Sequence, residues 1–207
     1  LTDRDQLNET LIVITADHGE GFGEQSRVRP GFRIAGHSGG IHELLVHVPL
    51  LVKYPGQTDG ERIERAASLT EFPSVVRSVC SGKKPHEGFV PDGPVVAVNE
   101  VAGQFETPPT NFTNYCDEIG TETFTGIARA VYQHRKHGCV RKFVQWDADE
   151  AVVDVFNPQN AMSVPGVTTV NDEIAAAFGP LESVNVRESA DEMDSDTKQR
   201  LADLGYL

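Results

Sequence analysis

The sequence has little cysteine, little lysine and no long apolar run. Its three cysteines, Cys80, Cys116 and Cys139, are odd in number and far apart, which argues against a disulfide framework and against a CxxC zinc knuckle. Each reads as a small buried hydrophobe. No stretch approaches the roughly 18 consecutive apolar residues that a membrane-crossing helix needs, so no membrane segment is expected in this chain. The opening LTDRDQLNET is neither basic nor apolar enough for a secretory signal, and export stays open. Positive charge is also scarce: 18 Lys plus Arg stand against 31 Asp plus Glu, for a net charge of -13. Such a surface repels polyanions, and nucleic acid is not an expected partner. Lysine is the rarer cation, six against twelve arginines, a balance that fits adaptation to a high-salt, halophilic cytoplasm as well as simple acidity. A cytoplasmic location follows only from the halophilic reading.

What is present is enough for a core: 39% of 207 residues are hydrophobic, the content of one domain or a large piece of one. Leu11 to Thr15, LIVIT, is a continuous apolar run of the kind that is buried on both faces of a parallel sheet. It ends in ADHGEGFGE, whose glycines turn the chain and place Asp17 and His18 at the carboxyl end of the strand, where open α/β sheets bind ligands. Residues 25–40 lack apolar periodicity and read as a surface loop ending in AGHSGG. VPLLVKYPG follows as a second buried strand stopped by Pro55 and Gly56.

Residues 62–82 predict a helix, with Phe72, Val75, Val76, Val79 and Cys80 on one face, Pro73 in its first turn and Gly82 past its end. Residues 83–94 read as a linker. Beyond it VVAVNEV, IARAVYQHR, KFVQW and AVVDVF predict a small antiparallel sheet, and SDTKQRLADLGYL predicts a closing helix with Ser195 as N-cap and Gly205 past its C-terminus. Two sequons begin at Asn8 and Asn111, relevant only to an exported protein.

An acid beside a histidine, flanked by glycines after a buried strand, offers two ligands to one divalent cation. Alone, the pair reads first as an N-capping Asp next to a solvated His. A second cluster strengthens the metal reading, because His37, His42, Glu43 and His47 lie within eleven positions, after a loop able to fold back. Tyr132, His134, Arg135 and the stretch from Lys136 to Lys142 form the one basic patch, either a substrate-facing rim or, more simply, an exposed strand face.

TADHGEGFGE, GHSGGIHELLVHVPLLVKYPG, SLTEFPSVVRSV and the terminal LADLGYL occur in an order and spacing that resemble the C-terminal half of sulfatases, of the alkaline-phosphatase-like superfamily. The resemblance is strong from about residue 3 to 80 and weaker over 130–157 and the last eight residues. It implies an α/β fold: part of a mixed or parallel sheet with flanking helices over residues 1–85, then a small antiparallel subdomain with an acidic tail over 86–207. It implies that Asp17 and His18 bind one divalent metal ion, calcium first, with manganese or another transition metal as the alternative. His37 would hold an oxygen of the ester and assist the leaving group. A sulfate or phosphate ester is the implied substrate.

The family's remaining acidic ligands and its nucleophile, in a CxPxR-type motif, belong to a segment preceding residue 1. The chain alone is therefore expected to be inactive, with the missing N-terminal half of the domain as its partner. Where the family has other residues before the VPL strand, this chain has His42, Glu43 and Leu44; His42 and His47 are taken as structural or surface groups. Phosphodiester or phosphonate hydrolysis, or phosphoglycerol-type transfer, is the alternative activity. A truncated, non-catalytic interaction domain is the non-enzymatic one.

Overall fold

A computed structural model of the chain describes residues 6–37, 39–83, 85–101, 126–135, 138–157 and 160–179. The LIVIT run forms β1 (Ile12–Thr15), and the VPLLV run forms the strand Leu50–Lys53, here β4. The two pair antiparallel, Ile12 opposite Lys53 and Thr15 opposite Leu50. The parallel pairing allowed for in the expected mixed or parallel sheet is not seen: every strand pairing among the described residues is antiparallel. Nor is the ribbon buried on both faces, since Ile14 and its partner Leu51 are 58% and 59% exposed. A continuous apolar run signals strand residues without fixing which neighbours cover them. Here one face of β1 and β4 stands open.

The stretch expected as a loop contains a hairpin. β2 (Gly21–Gln25) pairs with β3 (Arg33–Gly36) through a bulge at Gly23, whose φ of 102° suits glycine. Its connection is closed by Ser26, whose Oγ accepts from the N–H groups of Val28 and Arg29 at 3.1 and 2.9 Å. The buried anchors Val28, Phe32 and Ile34 are spaced four and two apart, matching neither helix nor strand period, which is why the sequence hid them.

After the hairpin, His42 leads into a single helical turn, α1 (Glu43–Val46), which precedes β4. The helix expected over 62–82 is shorter: a 3-10 turn at Leu69–Glu71 leads into α2 (Phe72–Cys80), with Pro in its first turn. Of its apolar face Val75 is fully buried, while Phe72 and Cys80 are exposed. The expected linker also packs: Phe89 is buried, its carbonyl accepts the Ser68 N–H at 2.8 Å, and its ring lies 6.4 Å from that of Phe72.

The expected antiparallel sheet is present. β5 (Val95–Val101), β6 (Gly126–His134), β7 (Val140–Trp146), β8 (Asp149–Val155) and β9 (Ala161–Ser163) lie side by side in chain order. Register places Tyr132 opposite Lys142, Ala130 opposite Val144 and Ala128 opposite Trp146. Tyr132, Ala130, Ala128, Val144 and Trp146 join Val28, Phe32, Ile34, Ile41 and Leu45 in one core, whose contacts cross residue 85.

The opposite face carries Val131, Phe143 and Val152, also buried. Above it runs α3 (Val170–Phe178), which the sequence did not suggest. Gln145 donates to Asn171 at 2.7 Å and Gln133 to Glu173, tying the helix to that face. Val170 and Ile174, one turn apart, are its buried residues toward its start. The closing helix over SDTKQRLADLGYL, Cys116 and the sequon at Asn111 lie outside the described residues.

Candidate functional site

Chain reversal after β1 brings together residues that the sequence separates. The turn after Thr15 carries Asp17, His18 and Glu20, and the end of β3 delivers His37 to the same place. The rings of His18 and His37 stack with centroids 4.4 Å apart and planes 30° apart. Glu20 Oε2 lies 3.3 Å from His37 Nδ1, and one ligand atom from each of His18, Glu20 and His37 falls within 4.8 Å of the others. Asp17 Oδ2 is 3.8 Å from His18 Nε2, and Asp17 Oδ1 accepts the His18 backbone N–H at 2.9 Å.

These contacts set the tautomers. His18 Nδ1 faces the Gly19 carbonyl oxygen at 2.8 Å, an acceptor only, so Nδ1 carries the hydrogen and a neutral ring leaves its lone pair on Nε2. His37 Nδ1 likewise donates to the Glu20 carboxylate, leaving Nε2 bare. Such orientation of imidazoles by carbonyl and carboxylate acceptors is how metal-binding histidines are commonly prepared. His18 Nε2 and the Asp17 carboxylate lie close enough for one cation to bind both.

Of the residues expected at the site, the rings of His18 and His37 meet and Asp17 lies against His18, all three partly or fully exposed. Glu20 was missed. Its signal was in the sequence, an acid two positions after His18 in DHGE, but glycine-rich turns do not reveal which side chains converge. Two imidazoles with carboxylates form a donor set suited to zinc, manganese or iron(II) more than to calcium, which takes six to eight oxygens.

The other histidines part company with the site. His42 is buried between Phe32 and Trp146, its ring 6.1 and 5.9 Å from theirs, and its Nε2 has no hydrogen-bond partner among the described residues. Burial, and secondarily the Lys142 charge, hold it neutral, with its pKa lowered from 6.5 to about 3. His47 is half exposed, 3.8 Å from Glu43.

Of the expected basic patch, His134 and Arg135 are exposed, whereas Tyr132 and Lys142 are interior. Lys142 is 3% exposed, and it donates to the Ile41 carbonyl at 2.6 Å and to Glu43 Oε1 at 2.9 Å. Tyr132, also buried, donates its hydroxyl to the same Oε1 at 3.2 Å. Alternation along β7 sends Lys142 to the core face, where the carboxylate of Glu43 offsets the cost of its charge. Desolvation lowers the Lys142 pKa against the pull of Glu43, and it raises that of Tyr132. Arg141, on the other face, makes a bidentate pair with Asp154 at 2.7 and 2.8 Å.

Comparisons with protein-family models, with curated proteins and with solved structures return no match to this chain.

Proposed function

We propose that this chain carries the cation-binding and ester-facing part of a metal-dependent hydrolase of sulfate esters, resembling the sulfatases. The observation that carries the reading is the convergence of His18, Glu20 and His37 from two turns 17 residues apart, with Asp17 against His18. Asp17 and His18 would hold the ion, the first through its carboxylate and the second through its imidazole. A divalent ion there supplies Lewis acidity toward an ester oxygen and lowers the pKa of a nucleophile.

The chain's own residues would do the rest. Glu20 accepts the His37 Nδ1 hydrogen and so fixes the ring, and His37 presents Nε2 toward the ester. Protonated there, it donates to an oxygen that gains negative charge as the bond breaks; loss of such a donor costs about a hundredfold or more in rate. The nucleophile and the remaining acidic ligands are assigned to a preceding half of the domain, so turnover belongs to the joined protein.

A second reading, phosphodiester or phosphonate hydrolysis, is favoured by the proximity of two imidazoles. In it His37 is a ligand beside His18 and Glu20, and the ion is a transition metal rather than calcium.

One experiment separates the two readings. Zinc, manganese and calcium are titrated into the wild type and the His18→Ala and His37→Ala variants, and the full-length gene product is assayed with an aryl sulfate and a phosphodiester, with and without chelator. The sulfatase reading expects chelator-sensitive sulfate release, with His37→Ala losing about a hundredfold in turnover and little cation affinity. The second reading expects phosphodiester turnover and a cation affinity that His37→Ala cuts tenfold or more, by about 1.4 kcal/mol. No saturable binding of any of the three cations, or binding unaffected by His18→Ala, sinks both.

A further inference from the structure

Segment 40–45 seats one half of the cluster and follows the other closely in the chain. On one side the Gly19 N–H donates to the Leu45 carbonyl at 2.8 Å, and a Cβ on Gly19 would lie 1.9 Å from the Leu44 carbonyl oxygen. The turn bearing His18 and Glu20 therefore rests on the backbone of α1. On the other side Gly40 and Ile41 follow His37 by three and four residues.

The five-stranded sheet grips the same segment at several points. Asn99 of β5 donates to the Gly40 carbonyl at 2.9 Å, and a Cβ on Gly40 would lie 2.7 Å from the Trp146 ring. Lys142 of β7 holds the Ile41 carbonyl and the Glu43 carboxylate, and Tyr132 of β6 reinforces the latter.

A buried ammonium in this place is a poor way to gain stability. Well-packed apolar groups of similar volume are often neutral or better replacements for a buried ion pair. What Lys142 adds is direction: two acceptors, two residues apart in the chain, converge on one nitrogen and fix the path of the segment.

We propose that Lys142 is a positioning residue for the His18–Glu20–His37 cluster, holding Ile41 and Glu43 so that segment 40–45 sets the spacing of the two site turns. The proposal rests on the second reading of the site, in which His18, Glu20 and His37 are all ligands. It adds that a residue more than a hundred positions downstream of His37, touching none of the ligands, governs the cluster's geometry.

The test replaces both charges at once, so that neither is left buried alone: Lys142→Met with Glu43→Gln, the glutamine keeping an acceptor for the Tyr132 hydroxyl. Folding is followed by circular dichroism and urea unfolding. Geometry is read without metal from the nuclear Overhauser contact between the His18 and His37 rings, and function from zinc affinity.

The expected result is a folded variant that has lost the ring-to-ring contact and about tenfold or more in zinc affinity, the effect usual for groups that orient ligands. A folded variant that keeps both overturns the proposal, as does absence of the ring contact in the wild type. If the wild type shows the contact but takes up no zinc, the cation reading fails while the ring contact still decides the positioning role.

Should the double variant not fold, Tyr132→Phe removes only the hydroxyl that steadies Glu43. A weakened ring contact and zinc affinity lowered severalfold then support positioning. Unchanged values leave Lys142 with a merely structural role and overturn it.

Discussion

The two ends of the described chain solve the same problem unequally. β5 to β9 form a sheet covered on one face by α3 and on the other by residues from 28 to 45, and the interior side chains of β6 and β7 are nearly all inaccessible. β1 and β4 form a two-stranded ribbon whose facing pair Ile14 and Leu51 is open to solvent, and Phe22 nearby along the chain is 80% exposed. Two strands alone are marginal in water. Yet the candidate site grows from the ribbon, at the end of β1. The ribbon that carries the candidate site meets the better-covered region through segment 40–45.

Removing the anchor of the better-covered region has the largest expected effect. Trp146 is buried, meets Phe32 edge-on at 5.3 Å and carries the Arg29 guanidinium 3.9 Å above its ring, while Arg29 also pairs with Asp147 and Asp149. Trp146→Ala is expected to lower the unfolding free energy by about 3–5 kcal/mol, as large aromatic truncations do. Urea unfolding checks this. A loss near that of a surface substitution would mean that the sheet does not anchor the core.

Gly19→Ala strikes the junction between the two regions. The new methyl group meets the Leu44 carbonyl, which is backbone and cannot rotate aside. Overpacking of this kind costs about 1–3 kcal/mol, and the displacement falls between His18 and Glu20. The variant is expected to lose cation binding out of proportion to stability, as seen by calorimetric titration beside a urea curve. Retained affinity would show that the turn is not seated on α1.

His42 offers a smaller, pH-dependent contrast. Its folded pKa, about 3, lies below its ordinary 6.5, so the unfolded chain takes up the proton first. The stability that goes with a neutral His42 is complete above about pH 6.5 and is lost as pH falls toward 3, with a slope approaching about 1.4 kcal/mol per pH unit. His42→Leu removes both the titration and an unpartnered nitrogen. It should be neutral or up to about 1 kcal/mol more stable at pH 7, with a margin over wild type that widens between pH 6.5 and 4. Parallel stability curves across that range would place the acid sensitivity elsewhere.

Sequence and structure agree most where local pattern decides. The alternating runs after residue 94 gave strands at nearly the right residues, and Pro73 marked the start of α2. Pattern failed where distant neighbours decide. An apolar run cannot say whether its partner strand is parallel, nor whether anything covers it. Lys142 looked like a surface group by type and His42 like a structural or surface one, and only the folding of 41–45 onto β6 and β7 makes both interior. Glu20 was passed over because its role depends on where β3 returns.

The smallest expected effect concerns the open ribbon itself. Ile14 and Leu51 face one another across β1 and β4 with more than half their surface in water, so replacing both by Ser removes little buried area. If the ribbon's outer face contributes nothing to the fold of this chain, the double variant should change the unfolding free energy by less than about 0.5 kcal/mol, the usual range for exposed positions. Ser also has lower strand propensity than Ile, so any residual loss should be a few tenths of a kcal/mol at most. A loss several times larger would show that the face is covered in solution. Analytical ultracentrifugation of the two proteins would then establish whether a second copy of the chain is what covers it.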